Sequence, residues 1–314
     1  MPAGKYFLFL SALFLSIIVS ACSESLAKTI AADKDNVSSK PTVIFGFMSS
    51  SDDNWDAQTL AIISDITKLI SERNNVDLRI VKYDKLNDFI RDVKSGIIQT
   101  FVGLSYKTEA ELVPSMNFKP LFTHTIYGQK MNRFCLWKKK GKFGSSISGL
   151  KGRKIIIDGK DFFQYMTLRE MLGEAPENSA TITFGPNGSS IIYALALDQA
   201  DAAVLSETQV NFFKFTNPGP VKDLEKVACG KDVYNPVIYA SPKLSPVIIT
   251  VISDFLKNAR NDDGFKKWRP LMKTAKFVFY EPDKAILFST FNDINAAKKK
   301  GWAKSFEKLV SFAE

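Results

Sequence analysis

From about residue 41 to residue 240, short apolar runs alternate with stretches of helical periodicity. Val43 to Met48 is continuously apolar, the pattern of a strand buried on both faces of a parallel sheet. A polar turn, Ser49 to Asp53, precedes a helix from about Trp55 to Ser71, where Leu60, Ile63, Ile66 and Ile70 recur on one face. Strand Asp77–Tyr83, helix Leu86–Lys94 and strand Gln99–Gly103 follow. This βαβαβ order calls for a parallel sheet with right-handed crossovers.

After Tyr127 the pattern restarts. Strands are expected at Phe134–Lys138, Lys154–Ile157, Thr181–Phe184 and Asp201–Leu205, with helices at Phe162–Leu172 and Ser189–Leu197. Beyond strand Pro236–Ala240 the chain turns helical, through Pro246–Asn258, Phe265–Met272 and Lys284 to the end. The fold class is α/β: two Rossmann-like lobes, with a helical tail packing back on the first. Lobe I comprises residues 41–132 and 236–314, lobe II residues 133–235. Two crossings, near residues 130 and 235, form the hinge.

The N-terminus changes the picture of where this chain works. Lys5 is the one charge in residues 1–21, and Tyr6 to Val19 is apolar but too short to span a bilayer comfortably. The stretch ends in Val19-Ser20-Ala21-Cys22, which resembles the lipobox of bacterial lipoproteins. That resemblance implies cleavage before Cys22 and acylation of its sulfur, hence an exported periplasmic or cell-surface protein held to the membrane by lipid. Residues 23–40 are polar and aperiodic, a tether. Outside the cytoplasm, Cys135 and Cys229 form either one disulfide or two separate buried thiols.

Of 314 residues, 45% are hydrophobic and 24% charged, within the globular range. The net charge is +9, and losing residues 1–21 leaves +8, which favours anionic partners. No arginine-rich arm, zinc spacing or RNP-type run points to nucleic acid. With one histidine and no HExxH, GxSxG or Walker loop, catalysis lacks its parts, so neither an enzyme nor a metal or cofactor is expected.

Three stretches then fall in family order. Ser95-Gly96 through Gly103-Leu104-Ser105-Tyr106, Leu150-Lys151-Gly152-Arg153-Lys154 and Ala200-Asp201-Ala202-Ala203-Val204 resemble motifs of the periplasmic phosphate, phosphite and phosphonate solute-binding proteins of ABC transporters. The resemblance implies the type II periplasmic-binding fold, a solute ligand and a permease partner. The chain departs from the family at three places. The Ser/Thr-rich turn of the second lobe reads Asp158-Gly159-Lys160-Asp161-Phe162-Phe163-Gln164. Asn187-Gly188-Ser189-Ser190 stands where the family tends to place a histidine, and Thr100 or Gln99 replaces a strand aspartate.

Ligands of open parallel sheets sit beyond the C-terminal strand ends. Gly185 to Ser190 is the strongest cradle there, with glycines for close approach and hydroxyls to donate. Its structural alternative is a turn capping the helix at Ser189. The candidate ligand-binding residues are Ser50, Tyr106, Lys160, Phe162, Gln164, Asn187, Ser189, Ser190 and Glu207. At helical spacing at least one of Phe162, Phe163 and Tyr165 should face the cleft, the alternative being that all three pack in the core. The expected function is capture of a small, anionic ligand by hinge closure and delivery to an ABC transporter. The alternative is a sensory or carrier lipoprotein of the same fold, binding an organic or lipidic ligand without a permease.

Overall fold

A computed structural model describes residues 40–48, 68–83, 85–102, 106–125, 127–144, 146–159, 161–258 and 278–313, with residues 263, 266, 269 and 276. In chain order the elements are β1 (Thr42–Met48), α1 (residues 68–74), β2 (Asp77–Tyr83), α2 (Leu86–Ser95), β3 (Thr100–Val102), α3 (Tyr106–Ser115), β4 (Lys119–His124) and β5 (Met131–Lys139). Then come β6 (Lys154–Asp158), α4 (Phe162–Leu172), β7 (Thr181–Gly185), α5 (Gly188–Ala196), β8 (Ala202–Ser206), α6 (Glu207–Thr216) and β9 (Leu224–Tyr234). The chain closes with β10 (Ile238–Ala240), α7 (Pro246–Asn258), β11 (Phe279–Tyr280), α8 (Lys284–Lys299) and α9 (Trp302–Ala313). The helix expected from Trp55 to Ser71 is seen only at its end, and the one at Phe265–Met272 falls almost wholly outside the described residues.

The described residues group into two compact units. The first takes those within Met1–Leu104, Leu112–Gly128 and Pro236–Pro282. The second takes those within Ser105–Glu111, Gln129–Asn235 and Asp283–Glu314.

The first unit is built on a six-stranded sheet, order β11-β4-β10-β3-β1-β2. β1 runs parallel to β2 and β3, as the βαβαβ pattern requires, while β10 lies antiparallel between β3 and β4. Gly96 stops α2 in a left-handed cap at φ 80°, its N–H returning to the Val93 carbonyl. The core is aromatic. The Phe101 ring meets Phe89 at 5.7 Å, Phe118 at 5.0 Å and Tyr239 at 5.1 Å.

The second unit has five strands in the order β7-β6-β8-β5-β9. β6 is parallel to β7 and β8, and β5 is antiparallel to β8 and β9. All five residues of β8 are buried. Cys135 and Cys229 stand opposite each other on β5 and β9 and are joined by a disulfide, resolving the two readings the sequence leaves open.

The helical tail departs from expectation. Residues 236–282 stay with the first unit, but Asp283–Glu314 belong to the second. The cause is apolar. Phe306 of α9, 6% exposed, inserts among Phe162 at 6.0 Å, Tyr165 at 5.4 Å and Phe184 at 6.1 Å. α8 buries Leu287, Phe291 and Ile294 and pairs Asp293 with Lys231 of β9 at 2.8 Å. The chain therefore passes between units at residues 282–283 as well, and the short excursion of Ser105–Glu111 adds a passage at each of its ends, beyond the two crossings the sequence suggests. Among the described residues, no helix is long and apolar enough to cross a membrane.

Candidate functional site

The parallel trio β7-β6-β8 ends on one edge of the second unit's sheet, and α4, α5 and α6 each begin there. The turns are tied together: the Gly159 N–H donates to the Gly185 carbonyl at 3.3 Å. Gly188 brings the start of α5 against α6, since a Cβ at that position would lie 2.2 Å from Gln209 Nε2. Gln209 is itself fixed by a capping box with Ser206, each side chain holding the other's backbone N–H.

The three helix starts differ in charge. α4 is capped by Asp161, whose carboxylate accepts from the N–H groups of Phe163 at 2.9 Å and Gln164 at 3.4 Å. Burial, reinforced by the neighbouring Asp158, pushes the Asp161 carboxyl up to about 7. α6 carries Glu207 in its first turn, and that carboxylate holds Lys226 Nζ of β9 at 2.6 Å. α5 has a neutral cap and no acid in its first turn. Asn187 Oδ1 accepts from the Ser190 N–H at 2.9 Å and the Ser190 hydroxyl at 3.0 Å. The half-buried Ser189 hydroxyl has no hydrogen-bond partner among the described residues.

The other sequence candidates have varied placements. Gln164, 2% exposed, clasps its own turn, Oε1 accepting from the Asp158 N–H at 3.1 Å. Phe162, Phe163 and Tyr165 are 3%, 5% and 0% exposed. Phe162, expected to touch ligand, is committed to α9 through Phe306, because a helix distant in sequence covers the face that periodicity leaves open. Tyr106 starts α3, lies against Phe163 with ring centroids 4.7 Å apart and planes tilted by 40°, and donates its hydroxyl to the Tyr234 carbonyl. Burial, with help from the carboxylates of Glu109 and Asp161, raises its phenol well above the usual range, so it stays a neutral donor. Ser50, Lys160 and Cys22 lie outside the described residues.

Cys135, Glu207 and Cys229 crowd together without forming a metal centre, since the sulfurs are bonded to each other and Glu207 holds Lys226. His124, the sole histidine, sits in β4 at 3% exposure, where burial pulls its imidazole down to about 3 and keeps it neutral. The sequence reading missed the Gln209–Gly188 contact that joins α5 to α6. Its signal was present as the S-x-x-Q spacing of Ser206 and Gln209.

The profile of the family described as ABC transporter, phosphonate, periplasmic substrate-binding protein matches residues 51–284. This chain belongs to that family. No curated protein sequence matches it. Solved structures share its fold at low identity. PhnD1 from Prochlorococcus marinus, in complex with methylphosphonate, is 12% identical with a TM-score of 0.62, over 83% of this chain and 98% of that one. A binding protein component of an ABC phosphonate transporter from Pseudomonas aeruginosa is 14% identical with a TM-score of 0.58, over 86% and 97%. A Xanthomonas citri protein bound to ATP is 12% identical with a TM-score of 0.62, over 83% and 99%. The fold is that of the type II periplasmic binding proteins, and the chain is a periplasmic substrate-binding protein of the ABC phosphonate-transporter family.

Proposed function

We propose that this substrate-binding protein captures a small organic or inorganic oxyanion at the edge where α5 begins, by hinge closure, and hands it to an ABC permease. One observation carries the reading. Of the three helix starts on that edge, only α5 combines a neutral cap, an acid-free first turn and a hydroxyl, Ser189, with no partner among the described residues. A helix N-terminus of that kind offers N–H groups and partial positive charge to an anion. At α4 the Asp161 side chain already occupies the equivalent N–H groups, which leaves them closed to an anion. Lys160, between Asp158 and Asp161 in sequence, is proposed as the counter-charge. Cys22 is proposed as the acylated anchor.

The test is thermal unfolding and calorimetry with methylphosphonate, phosphate and short carboxylates. A ligand at a hundredfold its Kd adds about 2.7 kcal/mol of stability. Ser189→Ala should weaken the binder about fivefold, as the loss of one hydrogen bond predicts, and Lys160→Ala should weaken it further. If none of these anions shifts the melting temperature, or if both variants bind as wild type does, the assignment fails. Metabolic labelling with palmitate should mark wild type and not Cys22→Ala.

A further inference from the structure

One concavity borders the start of α4, where Phe163 forms part of its wall. It is a groove of about 340 Å³ between α4, the edge strand β9 and α8. Its apolar lining includes Phe163, Met166, Val233 and Ile286, the last an exposed large apolar side chain at 42%. Its polar lining carries a detail that packing does not explain. Thr216, Thr250 and Thr290 are helical threonines that each return their hydroxyl to the carbonyl four residues back, at 3.0, 3.0 and 3.2 Å. Thr167, in the middle of α4 and 3% exposed, does not. Its methyl is pinned by β9, since a Cβ on Gly230 would come 2.5 Å from Thr167 Cγ2. Its hydroxyl has no partner among the described residues and lines the groove. The hydroxyl opens on the groove, where it is left to pair with water or with a bound group.

The charges around it fix the sign of that ligand. Asp232 is held by Arg133, and Lys231 is held by Asp293 at 2.8 Å. Glu170, exposed on the same rim, makes no ion pair among the described residues and acts on Lys231 only at range. After these pairings one negative charge remains on the groove of a chain whose net charge is +9.

We infer that this groove is a second binding site, for a small organic ammonium compound whose apolar body lies on Met166, Val233 and Ile286 and whose N–H groups meet Thr167 and Glu170. It is chemically opposite to the oxyanion edge, and it does not depend on that reading.

The experiment titrates the purified full-length protein with benzylammonium, with its neutral isostere benzyl alcohol and with benzoate, by calorimetry. Benzylammonium should bind saturably and more tightly than benzyl alcohol, with benzoate weakest. Thr167→Val keeps the side-chain shape and should weaken benzylammonium about fivefold. Glu170→Gln, at the surface where folding is not at stake, should weaken it about threefold and narrow its advantage over benzyl alcohol. Saturating methylphosphonate should leave the titration unchanged. The inference is overturned by no saturable benzylammonium binding, by equal binding of the three probes, by variants that bind as wild type does, or by displacement with methylphosphonate.

Discussion

Asp161 shows how much one side chain governs at the strand-end edge. It caps α4, and its carboxyl is raised from 3.8 to about 7, chiefly by burial and then by Asp158. The folded protein therefore holds a proton that the unfolded chain has already released. Stability from this group is fully present below about pH 4 and is lost as pH rises toward 7. Asp161→Asn keeps an acceptor for the two N–H groups and cannot ionise. Urea unfolding at several pH values should thus show the variant gaining stability relative to wild type between pH 4 and 7. A difference that stays flat across that window would refute the burial argument.

At the scale of elements, Asp77–Tyr83, Phe162–Leu172 and Pro246–Asn258 were legible residue for residue because local signals agree there. α4, for instance, has Asp161 before it and Gly173 after it, in a left-handed C-cap at φ 73°. β9 was not legible. Its sequence, Leu-Glu-Lys-Val-Ala-Cys-Gly-Lys-Asp-Val-Tyr, lies at a sheet edge with little buried, so neither alternation nor an apolar run marks it. α3 hides behind Pro114, and α6 was passed over although its capping box is written in Ser206 and Gln209. The proposed cradle at Gly185–Ser190 is a candidate the sequence can offer, because glycine and hydroxyl chemistry is local. The role of Phe162 was not legible, because its partner is 144 residues further along the chain. Gly188→Ala tests the α5–α6 junction. The added methyl must displace Gln209, so the capping box should break and the variant should lose about 1–3 kcal/mol in chemical denaturation. Unchanged stability would mean that the junction tolerates slack.

At the scale of the whole molecule, the tail sets the organisation. Phe306 closes an aromatic cluster whose other members lie on α4 and β7. Phe306→Ala should cost about 3 kcal/mol, the usual loss for a large aromatic removed from a core. A loss below 1 kcal/mol in urea unfolding would show that the tail only rests on the unit it joins. Both units are assembled from separated stretches of chain, and each needs residues beyond 235 to be whole.

This arrangement bears on how an exported chain reaches its compartment. A polypeptide threaded through a secretion channel emerges from one end, and anything that collapses early jams the passage. Here the first unit waits for Pro236–Pro282 and the second for residue 306, so neither can seal its interior until nearly the whole strand is through. With the segments in this order, each unit lacks part of its chain until the stretch that completes it has emerged.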